Sequence, residues 1–508
     1  MLKNNIKKII SSIENSKTPL VYFIMTFIFI MILRDFLESF STKNYTALIQ
    51  IDRIISYNSF YISLAISLVI LLFIITKERI DKIIKIILTG FSIIILPPIV
   101  DLIISKGNGY LITFLIPNTH TDLITRFFSF FGKMEHCSWS ANMLCGVTPG
   151  IKVEIILVLL MSFSYFIAKN FNFLKSAFFS LLVYTTIFTY FSTIFIIEKL
   201  SGLTGLIYKN QESITTNFYF ILIFLNILIL FYILKKDYFK ALIRDIRPFR
   251  LIHYELMLIL GIALAINNNE YQFLLEMKNI SNILIIMISI LFAWLYSVVT
   301  NNIEDYEIDK ISNKNRPLTN STIKLGDYKI IAWAFLFTTL LYAGLVNFKA
   351  FFIILLFVGN YFIYSMPPLR LKRIPLLSKI FISINSLILI LLGFLMVQYN
   401  IKNIPIIIYP IFLIGFTLTI NFIDIKDYRG DKKLGIKTLP VLMGPKKSKL
   451  LIGLFFFLGY VFIFYITQLI LFIILAFLQF YLINKKSYKE KYIFIVYLLS
   501  LVVFILSL

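Results

Sequence analysis

The sequence predicts an all-α integral membrane protein of about fifteen transmembrane helices. Three observations carry that fold class. Of 508 residues, 59% are hydrophobic and 15% charged, whereas a soluble domain is nearer half apolar and a quarter charged; mean hydropathy is +0.88. The apolar runs are continuous and roughly 18 residues or longer, which is bilayer-crossing helix length rather than the ten-residue alternation of a membrane barrel. Gly (19) and Pro (14) are scarce beside Phe (52) and Tyr (29), so the runs are rarely broken, and in lipid an unbroken run satisfies its backbone as a helix. This composition excludes a soluble enzyme, a disordered chain and a fibrous repeat.

Taken in order, six runs fall near 19–34, 58–76, 86–104, 153–168, 176–197 and 217–234. Nine more lie near 251–266, 281–299, 330–346, 350–365, 380–399, 405–422, 450–466, 468–484 and 492–507. The stretch 450–484 is split in two because a single helix of that length would overrun the bilayer. The opening MLKNNIKKIISSIENSK is basic and polar, and no A-x-A-like site follows the first run, so that run is expected to be a membrane span rather than a cleaved signal.

The net charge of +23 raises nucleic acid as a partner, but its distribution argues against it. With the N-terminus in the cytoplasm and strict alternation, 37 of the 49 Lys and Arg fall in cytoplasmic segments and 12 in external ones. That is the positive-inside pattern, and it places both the N-terminus and the basic segment 235–250, KKDYFKALIRDIRPFR, on the cytoplasmic side. The segment divides the chain into a six-span domain, 1–240, and a nine-span domain, 241–508.

Ionisable groups at membrane depth are costly and usually functional. Two clusters stand at expected cytoplasmic helix ends. In NNIEDYEID (301–309), Asn301, Asp305 and Asp309 are spaced i, i+4, i+8. In DIKDYRGD (424–431), Asp424, Asp427 and Asp431 are spaced i, i+3, i+7. Either spacing puts three polar groups on one helix face. Stacked carboxylates repel and need a cation. An oxygen-only ligand set suits a hard ion such as Mg²⁺, which completes its shell with water and phosphate oxygens. Two facing rows therefore suggest a diphosphate clamped between metal ions across a shared cavity. The bland alternative is solvated loop charge. It weakens because both rows lie on one expected side and both precede basic residues, Lys310, Lys314 and Arg316 after the first and Lys432, Lys433 and Lys437 after the second. A third cytoplasmic segment, YSMPPLRLKR (364–373), ends its helix at Pro367 and Pro368. Arg370, Lys372 and Arg373 then offer phosphate-binding charge.

Together these residues resemble the UbiA superfamily of intramembrane prenyltransferases, which carries N-D-x-x-D-x-x-x-D and D-x-x-D-x-x-x-D motifs at helix ends. GIKTLPV (435–441), YSMPPLRLKR and RPFR (247–250) add to the resemblance, which covers about residues 240–508. One departure is Asn302, where the family often has Asp. The resemblance implies a nine-helix bundle around a lipid-accessible cavity and a multi-pass protein of the cell membrane with its active-site loops in the cytoplasm. It implies transfer of a polyprenyl group from an allylic prenyl diphosphate, geranylgeranyl among them, to a lipophilic aromatic or hydroxyl acceptor. It also implies Mg²⁺ as cofactor, two ions bridging the diphosphate. By motif position, Asn301, Asp305, Asp309, Asp424, Asp427 and Asp431 would hold metal. Arg247, Arg316, Arg370, Lys372, Lys426 and Lys437 would bind the diphosphate, and Tyr364 and Ser365 would line the reactive centre. Asp427 is alternatively a base or an acceptor-orienting group. The wording of the loops is nearer the chlorophyll-synthase and archaeal ether-lipid branches than haem farnesylation. A transporter or lipid-binding protein reusing the bundle is the competing class; its coupling carboxylates would sit near the bilayer midplane, not at the edge.

Residues 1–240 carry no matching motif. Asp101 and Glu154 are charges near span ends. The expected external stretch 105–152 holds Cys137, Cys145, His120 and His136, an amphipathic LITRFFSFFGKM suited to the interface, and a possible disulfide between its two cysteines.

Overall fold

The computed structural model describes residues 2–45, 50–110, 112–113, 127–128, 135–137, 140–145, 147–266, 272–312, 315–398, 400–433, 435 and 437–508. Among them, thirteen helices are long and apolar enough to cross a membrane and two more are shorter. In chain order they are α1 (Leu20–Ser41), α2 (Ile51–Thr76), α3 (Ile80–Ile104), α4 (Pro149–Ala168), α5 (Phe173–Phe191) and α6 (Gln211–Leu234). There follow α7 (Pro248–Ile266), α8 (Met277–Glu304), α9 (Leu325–Val346), α10 (Phe348–Ser365), α11 (Leu377–Val397), α12 (Ile408–Asp424), α13 (Pro445–Thr467), α14 (Leu471–Asn484) and α15 (Glu490–Ser507). The helical fold class is as expected, and the protein is a multi-pass integral membrane protein. Between α3 and α4 a small three-stranded sheet, Ile112–Thr113, Glu135–Cys137 and Ser140–Cys145, departs from a purely helical chain. Its third strand is central, parallel to the first and antiparallel to the second. His120, most of the 123–134 segment, and the side chains of His136, Cys137 and Cys145, with the disulfide expected of them, lie outside the described residues.

The run 450–484 is indeed two helices. Gln468 breaks it with a left-handed backbone (φ 58°) that ends α13.

The chain forms two compact units. One comprises Met1–Leu234 with Glu276–Ser281; the other comprises Lys235–Leu275 with Asn282–Leu508. In the first, Phe27, Met31, Tyr61, Leu64, Ile83 and Phe166 belong to one buried core. In the second, α7 and α11 touch backbone to backbone. A Cβ added at Gly261 would stand 2.0 Å from the Ile390 carbonyl oxygen, and one at Gly393 would stand 2.0 Å from that of Leu258. Small residues permit such close approach between membrane helices, and here they fix two helices that both carry cavity residues. α12 is irregular, a π-helix over Ile411–Phe416 and a 3₁₀ helix over Ile420–Asp424. π-helical turns recur at functional sites, and this one leads directly into the second carboxylate row.

Candidate active site

The first row keeps its helical stacking across a helix break. α8 ends at Glu304 and a short helix, Tyr306–Ser312, follows. The Asp305 amide nonetheless donates to the Asn301 carbonyl at 2.9 Å and the Asp309 amide to that of Asp305 at 2.8 Å. The second row turns more tightly. The Asp427 amide donates to the Asp424 carbonyl at 3.1 Å, and the Asp431 amide to that of Asp427 at 2.9 Å.

Both rows line one cavity of about 1160 Å³ in the C-terminal unit. Every other site residue expected from the sequence also lines it: Arg247, Arg316, Tyr364, Ser365, Arg370, Lys372, Lys426 and Lys437. Asn302 does not. Its side chain is buried and donates to Asp245 and, at 3.0 Å, to the Tyr328 hydroxyl, while its Oδ1 accepts from Arg316 at 2.8 Å. The neutral Asn302 side chain therefore lies behind the cavity wall, where it props Arg316.

In the first row Asp305 is held on both oxygens. Oδ1 accepts from Arg370 at 3.0 Å and Lys372 at 2.8 Å; Oδ2 accepts from Lys372 at 2.8 Å and from Asn301 Nδ2 at 3.0 Å. Asn301 Oδ1 accepts from Ser365 at 2.8 Å and Lys372 at 2.9 Å. Arg316 pairs with Asp309. Arg370 has a left-handed backbone (φ 45°), which swings the 364–373 loop so that its guanidinium also reaches the Glu304 carbonyl at 3.1 Å. Burial lowers the Lys372 pKa, and Asp305 opposes that shift.

The second row is less compensated. Lys379, 6% exposed, donates to Asp424 Oδ1 at 2.7 Å, whereas Asp424 Oδ2 is buried without a hydrogen-bond partner. Asp431 accepts from Thr438 at 3.3 Å. Burial raises the Asp427 pKa, and burial with the charges of Asp424 and Asp427 pushes Asp431 up to about 6. Lys426 reaches Glu490 at 2.5 Å, and Arg250 lies 3.9 Å from the same carboxylate.

Sequence reasoning missed Lys379, Arg250, His253 and most of the aromatic lining. Lys379 was within reach, being a cation at the edge of a long apolar run. Arg250, His253 and Tyr254 are spaced i, i+3, i+4, one face of α7, and all three line the cavity. The Tyr254 and Tyr361 hydroxyls meet at 2.5 Å, and Trp294, Tyr364, Phe416 and Tyr497 add further rings to the lining. The His253 imidazole is fixed between Ser386 at 2.8 Å and Tyr497 at 2.9 Å.

Among the described residues no three His, Cys, Asp or Glu side chains form a ready-made metal cage. The carboxylates present line one cavity, and one of their oxygens, Asp424 Oδ2, is buried without a hydrogen-bond partner among the described residues. This set fits a hard divalent cation, which takes one or two carboxylates and completes its shell with water and phosphate. The cavity thus joins paired anionic rows, a ring of cations and an aromatic lining, the parts needed to hold a metal-bound phosphate ester beside an apolar chain.

The sequence model of the UbiA prenyltransferase family matches residues 256–504. The chain is 30% identical over 164 residues to a digeranylgeranylglyceryl phosphate synthase of Sulfurisphaera tokodaii, covering 32% of this chain and 57% of that protein. It is 28% identical over 221 residues to the synthase of the same name from Pyrococcus horikoshii, covering 43% and 74% respectively. A homogentisate phytyltransferase of Synechocystis is 33% identical over 168 residues, 30% of this chain and 54% of that one. Among solved structures, a UbiA homolog from Archaeoglobus fulgidus bound to GPP and Mg²⁺ aligns with a TM-score of 0.43 at 21% identity, over 53% of this chain and 97% of that one.

Proposed function

Residues 256–504 match the sequence model of the UbiA prenyltransferase family, and from that likeness we propose that the C-terminal unit transfers a prenyl group from an allylic prenyl diphosphate to a lipophilic acceptor. The observation that carries this is the convergence of both Asp rows, the cations and the aromatic lining on a single cavity. A transporter reusing the bundle gains no support from that arrangement.

Ionisation breaks the bond between the allylic carbon and the diphosphate oxygen, and negative charge grows on the leaving group. Arg370, Lys372, Arg316 and Lys379 stand on the cavity wall to meet that charge, where preorganised cations act strongly in a water-poor site. Two Mg²⁺ ions, one per row, would add charge neutralisation at the diphosphate when bound. Asn301, Asp305 and Asp309 would hold one; Asp424 and Asp431 would hold the other, which leaves Asp427 as the base. The faces of Tyr364, Tyr361 and Tyr254 stabilise the allylic cation through their ring quadrupoles. A new carbon–oxygen or carbon–carbon bond forms to the acceptor. The proton it releases passes to Asp427, whose raised pKa suits a base. On the orientation expected from the charge distribution, the rows lie at the cytoplasmic edge, where a water-soluble diphosphate head would enter.

For the donor we propose a geranylgeranyl chain, and for the acceptor the hydroxyl of a glycerol-phosphate lipid, with an aromatic phenol as the second choice. The test is purified protein with labelled geranylgeranyl diphosphate, Mg²⁺ and a panel containing both acceptor types. Chain transfer to the glycerol lipid supports the proposal. Absence of both transfer and diphosphate release overturns it.

A further inference from the structure

The two carboxylate rows are not equivalent, and the difference is one of displaceable partners. Asp305 accepts four hydrogen bonds from protein donors, three of them charged. Asp309 is paired with Arg316. A divalent cation arriving at this row must displace Arg370 and Lys372, which are 17% and 15% exposed. Displaced without a new anion, they would be left as unpaired charges in a mostly buried site, which is strongly unfavourable.

The other row asks for no such displacement. Lys379 occupies Oδ1 of Asp424, and among the described residues Oδ2 is buried and unpartnered. Among the described residues, Asp431 accepts one side-chain hydrogen bond, from the neutral Thr438 hydroxyl at a long 3.3 Å. Lys426, the cation adjacent in sequence, is drawn to Glu490 instead. A hard cation entering here satisfies an orphaned oxygen and relieves repulsion between neighbouring carboxylates.

Resting on the prenyl-transfer reading for the identity of the ligands, we propose that the rows load in order: the Asp424–Asp431 row accepts a divalent cation by itself, and the Asn301–Asp309 row accepts one only together with a diphosphate. The diphosphate takes Arg370 and Lys372 from Asp305 and so frees its oxygens. Metal and diphosphate binding at the first row are then mutually dependent, as linkage requires of two ligands competing with one internal ion pair. Lys372 is the residue that enforces the dependence, since it bridges Asn301 and both oxygens of Asp305.

The experiment is a Mn²⁺ titration of the purified full-length protein, read by electron paramagnetic resonance, with and without inorganic diphosphate. The expected result is one bound ion per chain without diphosphate and two with it. Asp431→Asn should weaken the first ion at least tenfold. Asp305→Asn should leave the first ion unchanged and remove the second. Lys372→Met should let the second ion bind without diphosphate while weakening diphosphate itself. A thermal melt of each variant confirms that it is folded. Two ions binding alike without diphosphate, none binding until it is added, or loss of the diphosphate-independent ion in Asp305→Asn would each overturn the order. No prenyl acceptor is used, so a protein that loads in this order but transfers nothing refutes only the transferase reading. One that transfers but loads differently refutes only the order.

Discussion

In the N-terminal unit Arg34 is 3% exposed, paired with Glu38 one turn along α1 and set over the rings of Tyr57 and Tyr61, each 5.6 Å away. In the C-terminal unit Lys379, 6% exposed, pairs with Asp424 at 2.7 Å. Both cations bear a similar desolvation cost. The surroundings of their partners differ. Asp424 lines a 1160 Å³ cavity with the two other carboxylates of its row and keeps one buried oxygen without a hydrogen-bond partner among the described residues. A cavity of about 490 Å³ in the N-terminal unit is lined almost wholly by apolar side chains such as Ile87, Leu157 and Met161, with Glu154 as its one acidic residue among those described. At the opposite end of α4, Lys169 is shared by Glu14 at 2.8 Å and Glu78 at 2.9 Å. Buried charge marks a site where it faces space that a ligand can fill; elsewhere it serves the packing.

The largest effect expected from this contrast is on turnover. Asp305→Asn or Asp424→Asn should lower prenyl transfer by at least ~10²–10³-fold, the scale for loss of a preorganised electrostatic partner of the transition state. Each change also leaves a mostly buried cation unpaired, Arg370 and Lys372 or Lys379, so melting temperatures should fall and turnover is compared per folded molecule. Near-normal turnover in either variant at limiting Mg²⁺ removes that residue from the site.

Lys169→Met is the matching change in the other unit. It leaves Glu14, 6% exposed, without its cation, and should destabilise the protein by about 3 kcal/mol, the scale for breaking a buried pair. Transfer per folded molecule should stay within about twofold, a change of under ~0.5 kcal/mol in barrier. A drop in turnover comparable with that of Asp424→Asn, at unchanged stability, would erase the distinction between the units.

Asn302→Ala sharpens the comparison inside the C-terminal unit. Asn302 touches no cavity space but fixes Arg316, Asp245 and Tyr328. Outer-layer partners of this kind are worth about 10–100-fold in activity or metal affinity. We expect a fall near the lower end, about tenfold, carried by weaker binding of diphosphate. An unchanged KM for the prenyl diphosphate would show that Arg316 holds its position unaided.

Much of this was legible in the chain because carboxylates at helical spacing are conspicuous in a sequence that is 59% hydrophobic. The rows at 301–309 and 424–431 and the 364–373 loop converge on one cavity, and the fifteen apolar runs are fifteen helices. What escaped has physical reasons. Hydropathy falls at Arg34 and predicts that the first run ends there, yet α1 continues to Ser41. Pairing of Arg34 with Glu38 at i, i+4 neutralises both charges inside the helix, so a charge that looks like a boundary is carried through. Lys379 reads as a loop cation because its carboxylate partner lies 45 residues away in sequence. Asn302 could be doubted as a ligand from its chemistry, but its role behind the wall needs the positions of Asp245 and Tyr328. The small sheet after α3 arises in a loop with no periodic signal.

The smallest effect concerns pH. Asp431 titrates near 6 in the folded protein because burial and the charges of Asp424 and Asp427 oppose its ionisation, while an unfolded Asp titrates near 3.9. Between those values the folded state binds more protons than the unfolded state, so stability must fall as pH rises from about 4 to 6. Asp431 is partly solvated, so the contribution is screened to about 1 kcal/mol. Thermal melts in EDTA from pH 4.5 to 7 should show this decline in the parent protein and a shallower one in Asp431→Asn. Saturating Mg²⁺ should weaken or reverse the decline, because a bound cation favours the ionised carboxylate. Parallel pH profiles for the two proteins in EDTA would mean that the second row is already compensated by its own cations, and the asymmetry between the rows would then have no electrostatic basis.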